Sequence, residues 1–239
     1  MNWLNLEVIP TFFTGGQYNT MAMEVGLRIL AIGSHIDDIE LGCGGAISRA
    51  RRSGHDVKMV VMTPSDYTDY SGNILRTREE AFQEGEAAAR VLGVNDFVVL
   101  DFPTKDVPYH SSAIEALNKI IDDYRPDIFF THWPFDTHQA HRATALSTIS
   151  AARRYNSLLM YEPLPPSGRS YIGFRPQVYV DISLDVDIKE KSLREHRTQL
   201  EKYEEQWLEA VRARSRHRGF EMGVEHAETF EVLRMELTL

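Results

Sequence analysis

Apolar and polar positions fall in alternating blocks along the chain. An apolar run at 27–32, carrying Leu27, Ile29, Leu30 and Ile32, stops at Gly33 and Ser34. Similar runs follow at 57–63 (VKMVVMT), 97–100 and 127–133 (DIFFTHW). Short apolar runs bounded by turn residues predict buried strands. Between them lie segments of helical character at 46–53, 77–92, 111–124 and 138–155. The second is rich in Glu, Ala and Arg and is stopped by Gly93. The third sets Ile114, Leu117, Ile120 and Ile121 at helical spacing, with Ser111 or Ser112 as its cap. This alternation predicts right-handed βαβ units. The expected fold is α/β and Rossmann-like: a mostly parallel, doubly wound sheet with helices on both faces.

The two ends depart from this pattern. Residues 1–26, broken by Pro10, Gly15 and Gly16, are read as an N-terminal arm or tail. After Tyr155 an irregular extension begins, with Pro163, Pro165, Pro166, Gly168 and Gly173 in a long loop suited to the rim of a pocket. It continues in a strand at 177–183, helices at 187–203 and 204–218, and a final strand in AETFEVLRMEL. The stretch 27–239 is read as one domain. The basic run RARSRHR, 212–218, is either a solvated helix face or interface, or an anion-binding patch.

Composition narrows the function. The chain has 239 residues and a formal net charge of −9, which argues against a broad nucleic-acid-binding face. A single cysteine, Cys43, excludes an intrachain disulfide and a multi-cysteine zinc site; it is read as a small packed side chain. No run has the length of a membrane span and no leader is evident, so a cytoplasmic location is expected.

Chemistry concentrates at two strand ends, where ligands bind in such sheets. The first, SHIDDIELGCGG, sets His35, Asp37, Asp38 and Glu40 directly after a buried strand. Unpaired charges there would cost several kcal/mol, roughly. Imidazole and carboxylate together suit zinc and similar ions. His35 and Asp38 can address one ion, with Asp37 aimed at a water on it; alternatively Asp37 and Asp38 only cap a helix. In the second, THWPFDTHQAHR, His138 and His141 share a face at a helix start. His132 is placed in or near the strand end rather than among the ligands. His55, His110, His196, His217 and His226 are expected at the surface. LGCGG also allows a nucleotide-binding or methyltransferase loop, although the charged segment separates it from its strand. Gly42, Gly44 and Gly45 are read as permitting close backbone approach.

The two motifs together resemble those of the PIG-L/LmbE-like family of zinc-dependent N-deacetylases. Ser34 to Glu40 is similar to the family's AHPDDE motif, and His138 to His141 to its HPDH motif. The resemblance implies that His35, Asp38 and His141 bind Zn2+, or Fe2+ in its place. It implies further that Asp37 is the general base, and that His138 assists the oxyanion or protonates the leaving amine. Gln139 and Ala140 replace the family's Pro-Asp pair, removing an acidic neighbour of the histidines. Family members use an arginine after the second strand; Arg78 is preferred here over Arg76. Asp136 either hydrogen-bonds sugar hydroxyls or caps the helix. The expected activity is hydrolysis of an N-acyl group, acetyl first, from an amino sugar or glycoconjugate. The rivals are a methyltransferase or nucleotide-binding enzyme using LGCGG and a catalytically silent metal-binding protein. Self-association is compatible with the N-terminal arm and the helical C-terminal region.

Overall fold

The computed structural model describes residues 26–236, so the expected N-terminal arm lies almost wholly outside the described residues. The alternating core is β1 (Arg28–Gly33), α1 (Asp38–Arg52), β2 (Asp56–Val61), α2 (Arg78–Val91), β5 (Asp96–Val99), α3 (Ser111–Tyr124), β6 (Ile128–Thr131) and α4 (Gln139–Ala151). Between β2 and α2 sits a small hairpin, β3 (Tyr67–Thr68) and β4 (Ile74–Arg76). The extension adds β7 (Leu158–Tyr161), β8 (Val178–Asp181), α5 (Val186–Arg194), α6 (Arg197–Met222) and β9 (Ala227–Arg234).

Seven strands form one sheet in the order β5-β2-β1-β6-β7-β9-β8. The first five run parallel, and β9 pairs antiparallel with both β7 and β8. The chain moves outward from β1 through β2 to β5, then returns to the other side of β1 at β6. The switch point between β1 and β6 is where such a sheet opens a crevice for ligand. Alternate side chains of the central strands feed two cores. Ile29, Ala31, Met59 and Val61 pack with Ile39, Ile47 and Ala81 of α1 and α2. Leu30, Ile32, Val60 and Phe129 pack with Leu117, Ile121 and Ala151 of α3 and α4. The expected doubly wound sheet is present.

Three local expectations change. The strand β7 replaces the start of the expected loop: Leu158, Leu159 and Met160 are buried on both faces, leaving no polar alternation to mark them. The cap of α3 is His110, whose Nδ1 accepts from Ser112 N at 3.4 Å, instead of Ser111 or Ser112. And α1 begins at Asp38, so the glycines lie inside a helix broken at Cys43 rather than in a turn before it. Packing accounts for them. A Cβ on Gly42 would lie 2.2 Å from the Tyr161 ring, and one on Gly45 2.8 Å from Ile182. The break frees Gly45 N and Ala46 N, which donate to the Glu228 carboxylate at 3.0 and 2.7 Å. Cys43 is fully buried, as expected. With its glycines packed against Tyr161 and Ile182, the segment forms no open cofactor cradle.

Candidate metal centre

The first motif leaves β1 through Gly33, where a Cβ would crowd Ile39 at 2.9 Å and Asp38 at 3.2 Å. The absence of that Cβ lets Asp38 fold back onto the strand end. Its Oδ2 accepts from Ser34 N at 3.0 Å and from His35 N at 2.7 Å. Asp37 stands at the N-cap of α1 with φ 143°, yet its side chain makes no capping hydrogen bond. A non-glycine residue in that region stores about 1–3 kcal/mol of strain, a cost met where the surrounding structure holds a functional group in place. Neither aspartate side chain caps α1.

The second motif leaves β6 and enters α4. Asp136 Oδ1 accepts from His138 N at 2.8 Å, and its Oδ2 accepts from His141 Nδ1 at 2.9 Å. With Nδ1 so engaged, His141 Nε2 points to Asp38 Oδ1 at 3.2 Å. His35 Nδ1 lies 3.3 Å from Asp38 Oδ2, and the His35 and His141 rings are 5.3 Å apart. The three residues expected to share an ion therefore meet around one carboxylate. His138 stacks on His141 at 4.3 Å and meets His35 edge-on at 5.0 Å.

Two sets of donors each fall within 4.8 Å of one another: His35, His138 and His141, and Asp38, His132 and His141. His132 is buried at the strand end, as expected, and stacks on His141 at 4.1 Å. Its Nε2 is already placed 3.1 Å from Ser34 N and 3.0 Å from Asp38 Oδ2. The expected trio is divided between the two sets: His141 belongs to both, His35 to the first and Asp38 to the second. A donor set of imidazoles and carboxylate suits zinc, and iron as well.

The electrostatics ask for a cation. Burial alone would raise the Asp38 carboxyl; His141 and His132 outweigh it and hold it well below the usual range. Burial would lower His141, but Asp38 and Asp136 on either side lift it to about 10. A proton thus takes up the positive charge that two buried carboxylates demand there. His138, by contrast, is pulled down to about 4 by burial and by the charge on His141. Asp37 is raised to about 6, chiefly by burial and then by Asp38.

The cluster opens into a cavity of about 720 Å³, within the usual range for small-molecule sites, whose walls include Tyr67, Arg76, Lys105, Gln139, Lys202 and Tyr203. Arg78 does not line it. Its exposed guanidinium pairs with Asp101 at 2.6 Å and approaches Asp66 at 3.7 Å, because position 78 opens α2 on the solvent side. Arg76, two residues earlier on the hairpin, is 1% exposed and pairs with Glu84 at 2.8 Å. Asp136 also lines the cavity; it is buried, and its oxygens accept from His138 N and His141 Nδ1, the capping alternative. His196 and His226, expected at the surface, are buried. His196 arrives from the extension to lie 3.4 Å from Glu40, a contact across 156 positions that no local pattern signals. Within the basic run, Arg212 pairs with Asp187 and Glu190, Arg216 with Glu225, and Arg218 with Glu162 and Glu221, while Arg214 donates to the Glu162 and Leu41 carbonyls. No described helix is long and apolar enough to cross a membrane.

The family model described as PIG-L: GlcNAc-PI de-N-acetylase matches residues 30–152. The chain is 29% identical to the diacetylchitobiose deacetylase of Thermococcus kodakarensis, over 84% of this chain and 81% of that protein. It is 32% identical to the uncharacterized deacetylase YaiS of Escherichia coli, over 71% of this chain and 90% of that protein. The solved N,N'-diacetylchitobiose deacetylase of Pyrococcus horikoshii superposes with a TM-score of 0.75 at 26% identity, covering 88% of this chain and 85% of that one.

Proposed function

The chain belongs to the PIG-L, GlcNAc-PI de-N-acetylase, family, and from that premise we propose a zinc-dependent N-deacetylase that releases acetate from an N-acetylated amino sugar or glycoconjugate. His35, Asp38 and His141 are the residues that would hold the ion; Fe2+ suits the same donors. When bound, such an ion polarises an amide carbonyl and lowers the pKa of water toward neutrality.

The remaining steps belong to side chains. Asp37, raised to about 6 and free of any capping bond, takes a proton from the attacking water and later returns it to the departing amine. His138, neutral at pH 7, donates a hydrogen bond to the oxygen that gains charge as the acyl carbon becomes tetrahedral. Such a donor is worth roughly 2.7–4 kcal/mol in the barrier. Asp136 holds His141 with Nε2 facing the ion position.

The observation that carries this reading is the approach of His35 and His141, from opposite sides of the switch point, to within 3.3 Å of Asp38 beside an uncommitted Asp37. The test is amine release from N-acetylglucosamine and N,N'-diacetylchitobiose by zinc-loaded protein. Turnover that is lost on chelation and restored by zinc is expected. Stoichiometric zinc without amine release from these or a wider panel of N-acyl amino sugars would instead indicate a silent metal-binding protein.

A further inference from the structure

Two ammonium groups converge on one short strand at the rim of the cavity. Lys202 Nζ, from α6, lies over the Tyr67 ring at 5.4 Å and the Tyr203 ring at 4.6 Å. Lys105 Nζ, from the loop after β5, reaches Thr68 O at 3.5 Å. Tyr67 and Thr68 are adjacent and together make up β3. Both lysines line the cavity. Among the described residues neither has a carboxylate within 4.0 Å, whereas Lys58 and Lys189 each have one at 3.0 and 2.5 Å. Asp37 is the carboxylate whose charge reaches Lys202, without pairing with it; Asp66 accepts from Thr104 Oγ1 at 3.1 Å, and Asp101 from Arg78 at 2.6 Å.

Holding two like charges at one strand is unfavourable unless an anion joins them. That is the more telling in a chain of net charge −9, where carboxylates are plentiful. The aromatic faces around Lys202 hold its ammonium in place before a ligand arrives. Lys105 is tied to the reacting end: its carbonyl accepts from Gln139 Nε2 at 2.8 Å, and the neighbouring Thr104 O is 3.3 Å from His35 Nε2. Gln139 is one of the residues that departs from the family motif. It thus ties the start of α4 to the backbone of the loop that carries Lys105.

Resting on the deacetylase reading, we infer that Lys105 and Lys202 form an anion subsite for a phosphate monoester on the acetylated sugar or on the group joined directly to it. A phosphate monoester carries nearly two charges at neutral pH and matches two ammoniums; a carboxylate supplies one.

The test is calorimetric binding of glucosamine 6-phosphate and of glucosamine to the zinc-loaded full chain. The phosphorylated sugar is expected to bind roughly tenfold more tightly, the scale of one charge-assisted contact. Lys105→Gln and Lys202→Gln should each shrink that preference, and the double variant should bring it close to one; Lys202→Arg should keep it. Equal affinities in the unaltered protein would overturn the inference. So would a preference that survives in the double variant, since phosphate would then be binding the metal alone. Should the double variant fail to fold, loss of the preference in rising salt in the unaltered protein serves as the second measurement. Binding is read without turnover: a preference seen with no amine release from any substrate defeats the deacetylase reading and leaves the subsite standing.

Discussion

Asp136→Asn changes one atom and reverses the polarity of one contact. In the native chain Asp136 Oδ2 faces His141 Nδ1 at 2.9 Å, so Nδ1 keeps its proton and, once an ion displaces the proton on Nε2, that nitrogen offers its lone pair. An asparagine keeps an oxygen for His138 N, now at 2.8 Å, and the cap of α4 survives. Its amide then faces His141 with an N–H, and two donors oppose each other at a site only 3% exposed. Relief requires the other tautomer, with the proton on Nε2 aimed at Asp38 Oδ1 from 3.2 Å. That tautomer cannot ligate a cation through Nε2. Loss of such an orienting carboxylate typically costs roughly 10–100-fold in metal affinity or activity. The assay is zinc competition against a chromogenic chelator, paired with amine release and a thermal melt. Weaker zinc binding in that range is expected, with a melt changed by little. Zinc affinity within about twofold of the native value, with only KM raised, would refute the reasoning and return Asp136 to the substrate.

Asp37→Ala should retain zinc and lose about 10²–10⁴ of its turnover; near-native amide hydrolysis would remove Asp37 from the role of base. Gly42→Ala places a Cβ 2.2 Å from the Tyr161 ring and should destabilise the fold by about 1–3 kcal/mol in urea denaturation; an unchanged midpoint would contradict the packing. Burial raises the Glu162 carboxyl, but hydrogen bonds from Arg218 and Thr229 and the charge of Arg214 outweigh it and hold it below its ordinary 4.5. A carboxyl lowered on folding stabilises above its unfolded value and loses that contribution as pH falls through the folded value. Denaturation at about pH 7 and about pH 3 should therefore differ less for Glu162→Gln than for the native chain, and equal differences would count against the network.

What the sequence disclosed was whatever repeats locally. The apolar runs of β1, β2 and β6 stood out because turn residues bound them, and the histidines and aspartates of the site follow directly on β1 and β6. Hidden features depend on distance or direction. Arg76 ends β4 and Arg78, two positions on, opens α2; only the hairpin turns the first inward and leaves the second in solvent. Capping by Asp136 was one of two readings of the sequence, but its bond to His141 spans five positions and needs the loop's own bend. Glu40 and His196 meet only once α6 docks. Strand β7 carried no alternation to read, since both its faces are covered.

The atoms that hold the ion decide the chemistry of this site. Anomalous diffraction at the zinc edge from a zinc-loaded crystal locates it directly. One peak per chain, in contact with His35, Asp38 and His141 and approached by Asp37, is the expected result. A peak held by Asp38, His132 and His141 with His35 turned away, or no peak at the switch point, would contradict it.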